Sequence, residues 1–200
     1  MGRPRLFDTE AVLDSAAAEF RVHGFADTST EKLCEAAGVR RSSLYNAFTS
    51  KEELFVQALR RYTEVTTLRQ EEVLTAAELD GGTRLWRIVE MVVEEEWAAC
   101  KKGHAAGCMT VHTFMSPHVR QSDSRVQSIL SQDLDHRLSL LTEAARVGQL
   151  DGSVRPESSP EDVAMLIVTV VSGLRVTAQT GAEPAQLLRI ARMSLGATLA

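Results

Sequence analysis

What this chain has little of already excludes most classes. Only three of its 200 residues are cysteine, Cys34, Cys100 and Cys108. An odd number cannot complete a disulfide framework, and the reducing cytoplasm is the simplest address for such a chain. Twelve glycines and five prolines are too few for a fibrous or low-complexity protein. No apolar run approaches the roughly 18 residues of a membrane span; the longest, residues 163–171, is interrupted by Thr169. No apolar segment precedes Asp8, so no signal peptide is expected. Cationic excess is missing too: 22 Lys and Arg face 27 Asp and Glu, a net charge of −5. That rules out attraction of the whole molecule to a polyanion but leaves a local one open. With 44% of residues hydrophobic and 24% charged, the chain can bury a core, and disorder is not expected.

Strand signals are almost absent, whereas helix punctuation recurs throughout, and the chain reads as all-α. Val12, Leu13, Ala16, Ala17 and Phe20 share one face at helical period after a cap at Asp8, and Gly24 stops that run. Thr28 with Glu31 reads as a capping box opening a short helix that ends at Gly38. A third helix begins near Arg40 or Arg41 and breaks at Thr49. Ser50 with Glu53 opens a long fourth helix towards Leu74. Further helical stretches follow at about 83–100, 108–115, 122–147, 161–180 and 184–199, separated by Gly and Pro. Four helices, three of them short, thus occupy the first third, and the remainder is helical too.

The first third carries the chemistry. Two short helices joined by a tight turn at Ala37-Gly38-Val39 make a helix-turn-helix, with Val39 and Leu44 packed beneath it. The second of the two presents Arg40, Arg41, Ser42, Ser43, Tyr45 and Asn46, residues able to donate to phosphate oxygens and base edges. Lys51 follows at the start of the next helix, where free backbone N–H groups favour a phosphate. Residues 1–61 are neutral, with nine cations and nine acids, yet residues 39–51 hold three cations and no acid. Arg3 and Arg5 form a short basic arm of the kind that reaches a minor groove.

These motifs resemble a known family. Gly2-Arg3-Pro4-Arg5, Phe20, Gly24-Phe25, Thr28-Ser29, Ala36-Ala37-Gly38-Val39, Ser43-Leu44-Tyr45-Asn46-Ala47-Phe48 and Ser50-Lys51-Glu52-Glu53-Leu54 are similar to those of TetR-type transcriptional regulators. Arg40 and Ala47 stand where many members carry a small capping residue and a polar residue. The resemblance implies an all-helical homodimer that binds a palindromic double-stranded DNA operator and represses until a small-molecule effector binds its C-terminal domain. It assigns Arg41, Ser42 and Ser43 to base edges, and Tyr45, Asn46 and Lys51 to phosphates, with Thr28 and Ser29 assisting. It makes residues 1–62 a three-helix DNA-binding domain and residues 63–200 a helical effector-binding and dimerisation domain, with dimerisation on the helices of residues 161–180 and 184–199. Val163, Leu166, Ile167, Val170, Val171 and Leu174 make the first apolar on several sides, and Ser172-Gly173 permits close approach.

Trp86, Trp97, Cys108, His112, Phe114 and Met115, with Met91 and Met109, are the candidate lining of an effector cavity for an apolar or aromatic ligand. Gly107-Cys108-Met109 also resembles the Gly-Cys segment of TetR-type sensors of oxidants and electrophiles. Thiol sensing at Cys108 and inert packing of a buried cysteine therefore both stay open. Cys100, His104, Cys108 and His112 recur every four residues, but twelve helical residues span about 18 Å, too far for one ion. A pair joined by ligands from elsewhere is the only metal reading left; no metal and no cofactor are expected. No nucleophile turn or phosphate loop gathers Ser, His and Asp, so an enzyme is not expected. An architectural DNA-binding protein and an activator of the same fold are the remaining alternatives.

Overall fold

The computed structural model describes residues 8–200. The basic arm at Arg3 and Arg5 lies outside them. Ten α-helices account for the described residues: α1 Thr9–Asp27, α2 Thr30–Ala37, α3 Arg41–Phe48, α4 Lys51–Leu74, α5 Gly81–Cys100, α6 Met109–Phe114, α7 Pro117–Ser122, α8 Ser124–Asp151, α9 Pro160–Ala178 and α10 Pro184–Leu195. The all-helical expectation holds. Among these residues no helix is long and apolar enough to cross a membrane.

The chain forms two compact units, and they cut across the sequence division at residue 62. One comprises the chain through Val65 together with Cys108–Leu130; the other comprises Thr66–Gly107 and Ser131–Ala200. Burial explains why residues 108–130 join the N-terminal helices. Met109, Val119, Val126 and Leu130 share a core with Phe20, Leu33, Leu44, Phe48 and Leu59. Phe20 and Phe25 each set an edge against Phe55 with centroids 5.0 Å apart. Full burial, as for Phe20 and Phe55, contributes about 1.5–3 kcal/mol per ring. Outside this core, Arg61 ties α4 to α1 through Asp14 at 2.5 and 2.8 Å and Glu10 at 3.0 Å.

The second unit packs α5, α8, α9 and α10 around Leu85, Val89, Ala145, Ile167, Leu187 and Leu195. Its interior also holds an ion cluster. Arg175, 8% exposed in its side chain, reaches Glu96 at 2.8 Å and Glu95, while the Ala106 N–H donates to Glu96 at 2.8 Å. Pairing and hydrogen bonding offset the desolvation of Glu96; without them a buried carboxylate would cost several kcal/mol.

Several helix limits differ from the periodicity reading, each for a tertiary reason. Gly24 (φ 74°) kinks α1 instead of ending it, and the helix resumes to Asp27. The cap of α2 is Ser29, whose hydroxyl oxygen accepts from Lys32 N at 3.2 Å. Thr28 turns back and donates to the Gly24 carbonyl at 2.6 Å, so the expected Thr28–Glu31 box does not form. Pro117 opens α7 at a position where a missing N–H costs nothing. Gly148 lies inside α8, where its missing side chain admits Val154.

Candidate nucleic-acid interface

The interface is built on the turn between α2 and α3. Gly38 adopts the left-handed conformation (φ 64°), and the last turn of α2 closes through Gly38 N to Glu35 O at 3.1 Å and Val39 N to Cys34 O at 3.0 Å. A β-carbon would strain that backbone, so glycine suits the position. Leu44 and Phe48 then bury one side of α3, which leaves Arg40, Arg41, Ser42 and Asn46 exposed and Ser43 and Tyr45 half-buried. Beyond α3, Thr49 (φ 59°, ψ −43°) makes a γ-turn in which Ser50 N donates to Phe48 O at 2.5 Å. Ser50 caps α4 by accepting from Glu53 N at 3.1 Å.

The exposed face is internally bonded. Arg41 Nη1 donates to Glu31 Oε1 at 2.9 Å, and its guanidinium carbon stands 5.6 Å from the centre of the Tyr45 ring. The Tyr45 hydroxyl is paired with Thr30 Oγ1 at 3.1 Å. Glu31 is held below the usual carboxylate range by its own backbone N–H first and by the Ser29 hydroxyl next. Lys51, half-buried, sets its ammonium 4.3 Å from the Phe25 ring centre. Cys34, half-buried on α2, has its thiol pushed up by burial, which lowers its thiolate population.

Of the nine residues expected to meet DNA, eight are at least partly accessible around this turn. Thr28 is the exception: it is fully buried, with its hydroxyl committed to Gly24. Glu31 and Thr30 were missed as members of the face, because in the sequence Glu31 served only as half of a capping box.

The candidate effector lining is divided between the two units. Trp86 and Trp97 belong to the second unit, Cys108, His112, Phe114 and Met115 to the first. Trp97 is 52% exposed and Met115 77%, so neither walls an enclosed cavity, while Met109 is wholly buried core. Helical spacing could not distinguish these situations. In the second unit, a hollow of about 390 Å³ is lined by Trp86, Thr83, Ser153, Arg192, Leu195 and Leu199. Another, of about 380 Å³, is lined by Glu96, Cys100, His104, Ala105, Ala178 and Pro184. Of the six expected lining residues, only Trp86 borders either. The Tyr62 hydroxyl donates towards Cys108 Sγ at 3.7 Å, and Thr110 Oγ1 lies 3.1 Å from the same sulfur. Among the described residues no group of three or more His, Cys, Asp or Glu could hold a metal ion.

Comparison with known proteins decides what the turn belongs to. Residues 12–58 match the model of the bacterial regulatory proteins of the tetR family. ComR, a helix-turn-helix transcriptional repressor of Escherichia coli K12, is 28% identical over 97% of this chain and 90% of its own length. The chain belongs to the TetR family. BdcR, a second such repressor of the same organism, is 27% identical over 96% of this chain and 90% of its own length. A cysteine-substituted CifR, solved with 26-base-pair double-strand operator DNA, is 29% identical with a TM-score of 0.78, covering 98% of this chain and all of that one. This TetR-family member is a DNA-binding transcriptional regulator and not an enzyme.

The family assignment gives the contact between α1 and α6 a measurable signature. His112 is half-buried against Gly24, where a β-carbon would lie 3.4 Å from its Nδ1. Burial first, and the neighbouring His23 second, push its pKa below the ordinary value. The folded chain therefore binds this proton less readily than the unfolded chain. Stability falls as pH drops below about 6.5 and goes on falling until the depressed native value is passed. Thermal midpoints measured between pH 8 and pH 5 should show this decline, and His112→Gln should flatten it. An equal slope in the variant would assign the decline to other groups.

Proposed function

We propose that the chain is a homodimeric repressor of a palindromic operator, released when a small molecule binds within residues 63–200. The observation that carries the reading is the exposed row of Arg41, Ser42 and Asn46 with Tyr45 beside it, raised on α3 by the Gly38 turn. CifR, similar along its full length, holds operator DNA. Arg41, Ser42 and Ser43 are the base-edge readers. Tyr45, Asn46 and Lys51 take phosphates, with Arg40 and Ser29 beside them; Thr28 is left out because it is buried. Residues 1–62 serve DNA, residues 63–200 effector binding and dimerisation, and the protein acts in the cytoplasm. Two reading heads about 34–36 Å apart engage successive major grooves. Because α4 is unbroken from Lys51 to Leu74, it is the natural lever: an effector preferring the DNA-incompetent state by about 1–3 kcal/mol lowers operator affinity roughly 5- to 150-fold.

The test begins with full-length protein and a randomised duplex pool. Selected duplexes should bind about a thousandfold tighter than random DNA at physiological salt. Arg41→Ala should cost about 10- to 100-fold on the selected duplex and little on random DNA, whereas Lys51→Ala should weaken both and reduce the salt slope by about 1. The reverse pattern would exchange the two roles, and a chain without sequence preference would end the operator reading.

A second reading concerns the signal. Cys108 is half-buried with the Tyr62 hydroxyl 3.7 Å from its Sγ, and a partly accessible thiol beside a polar group supports an oxidant or electrophile as the releasing agent. Loss of operator binding on peroxide treatment, reversed by reductant and absent in Cys108→Ser, would carry it. Unchanged binding would leave the small-molecule effector alone.

A further inference from the structure

The groups that should read DNA are bonded to one another in the free protein. Ser29 and the Glu31 backbone hold the Glu31 carboxylate, the carboxylate holds Arg41, and Arg41 lies over Tyr45, whose hydroxyl meets Thr30. Glu31 is 71% exposed and Arg41 64%. An ion pair this open adds little to stability, so the fold does not require it. It also sets a negative charge on the face that must approach a polyanion, which by itself disfavours binding.

We infer that Glu31 is a specificity-determining positioning residue, whose carboxylate withholds the Arg41 guanidinium from phosphates and yields it to an uncharged base edge that accepts two hydrogen bonds. This role requires α3 to be the reading helix proposed above. A phosphate can also take the guanidinium fork on two oxygens, but it brings a second anion up to the Glu31 carboxylate that already holds Arg41. A guanine edge is uncharged and takes two parallel N–H donors through O6 and N7, and the guanidinium carbon already stands 5.6 Å from the Tyr45 ring centre. Glu31 thus weakens binding to every sequence but weakens it least where a guanine waits. Non-specific complexes of the wild type form without Arg41 on a phosphate.

Salt dependence separates this role from a structural one. In wild type, Arg41 should add nothing to the salt slope on random duplex. Glu31→Gln removes the charge and should strengthen binding to random duplex about two- to fivefold. It should also steepen the log–log salt slope by about 0.9, one extra phosphate contact, while affinity for the selected duplex rises less. Glu31→Asp keeps the charge but shortens the reach, and should steepen the slope as Gln does; an Asp variant that behaves as wild type would mean simple repulsion and overturn the clamp. An unchanged slope in both variants would overturn it as well, while loss of selected-duplex affinity in Arg41→Ala would leave the reading helix standing. If Arg41→Ala binds the selected duplex as wild type does, the reading helix and the inference fail together. Equal thermal midpoints of all variants would exclude a folding effect, and a midpoint drop parallel to the binding change would count against the clamp.

Discussion

Met165→Glu together with Val176→Glu should turn the protein into a monomer and lower its affinity for a selected palindromic duplex about a hundredfold or more, because a second linked contact multiplies avidity by roughly 10²–10⁴. The exposed side of the last two helices motivates this. Met165 is 48% exposed, Val176 55%, Ile190 38% and Met193 84%. On α9 these positions run through Gly173, above which a β-carbon would meet nothing within 4 Å. A row of accessible apolar side chains around a bare glycine suits the close approach of an identical helix, and a two-fold partner matches a palindromic site. Carboxylates buried there without partners oppose the contact, yet in the monomer they sit in water and leave the fold intact. Sedimentation velocity should therefore give the mass of one chain with an unchanged helical spectrum, and binding to random DNA should weaken far less than binding to the palindrome. A variant that remains dimeric would move the interface elsewhere.

The surface of α3 was legible in the sequence because every device that exposes it is local. Gly38, the cap at Ser50 and the alternation of buried Leu44 and Phe48 with open Arg41 and Asn46 lie within a few residues of one another. The neighbouring boundary failed for an equally physical reason. Thr28 and Ser29 both carry a hydroxyl before an acidic turn, and spacing to Glu31 favours Thr28. The kink at Gly24 brings a carbonyl within reach of Thr28, so that hydroxyl closes α1 and Ser29 is left to open α2.

Longer-range features left no local trace. Glu96 and Arg175 are 79 positions apart, and nothing in either segment names the other. The exposure of individual residues in the expected effector lining was no more legible. Trp97 and Met115 recur at helical period as core residues do, but period does not say which side of a helix meets a neighbour, and both are open. Gly148 read as a stop because glycine often follows a helix; here the helix needs it where Val154 presses against the backbone.

The same reasoning gives the most damaging single substitution. Gly81→Ala should destabilise the protein by about 3–5 kcal/mol, since added volume in a close-packed contact that cannot relax lies at the costly end of point mutations. A β-carbon on Gly81 would lie closer than 3.0 Å to Gly148 N, Gly148 Cα and the Ala144 carbonyl, all backbone atoms of α8. No rotamer relieves a clash with backbone, so α5 would have to lift from α8. That movement would break the bonds that start the helix, Gly81 N to Asp151 at 2.8 Å and Gly82 N to Ser153 at 2.7 Å. It would also open the core around Leu85 and Val89. For a chain of this size the midpoint of thermal unfolding should fall by roughly 6–20 °C. Gly103→Ala supplies the contrast, because Gly103 has φ 82° but nothing within 4 Å of a β-carbon. It bears the left-handed penalty alone, about 1–2 kcal/mol. A larger loss at Gly81 than at Gly103 assigns the cost to the approach of α5 and α8. Equal losses would mean that the two helices stand farther apart than their backbones indicate.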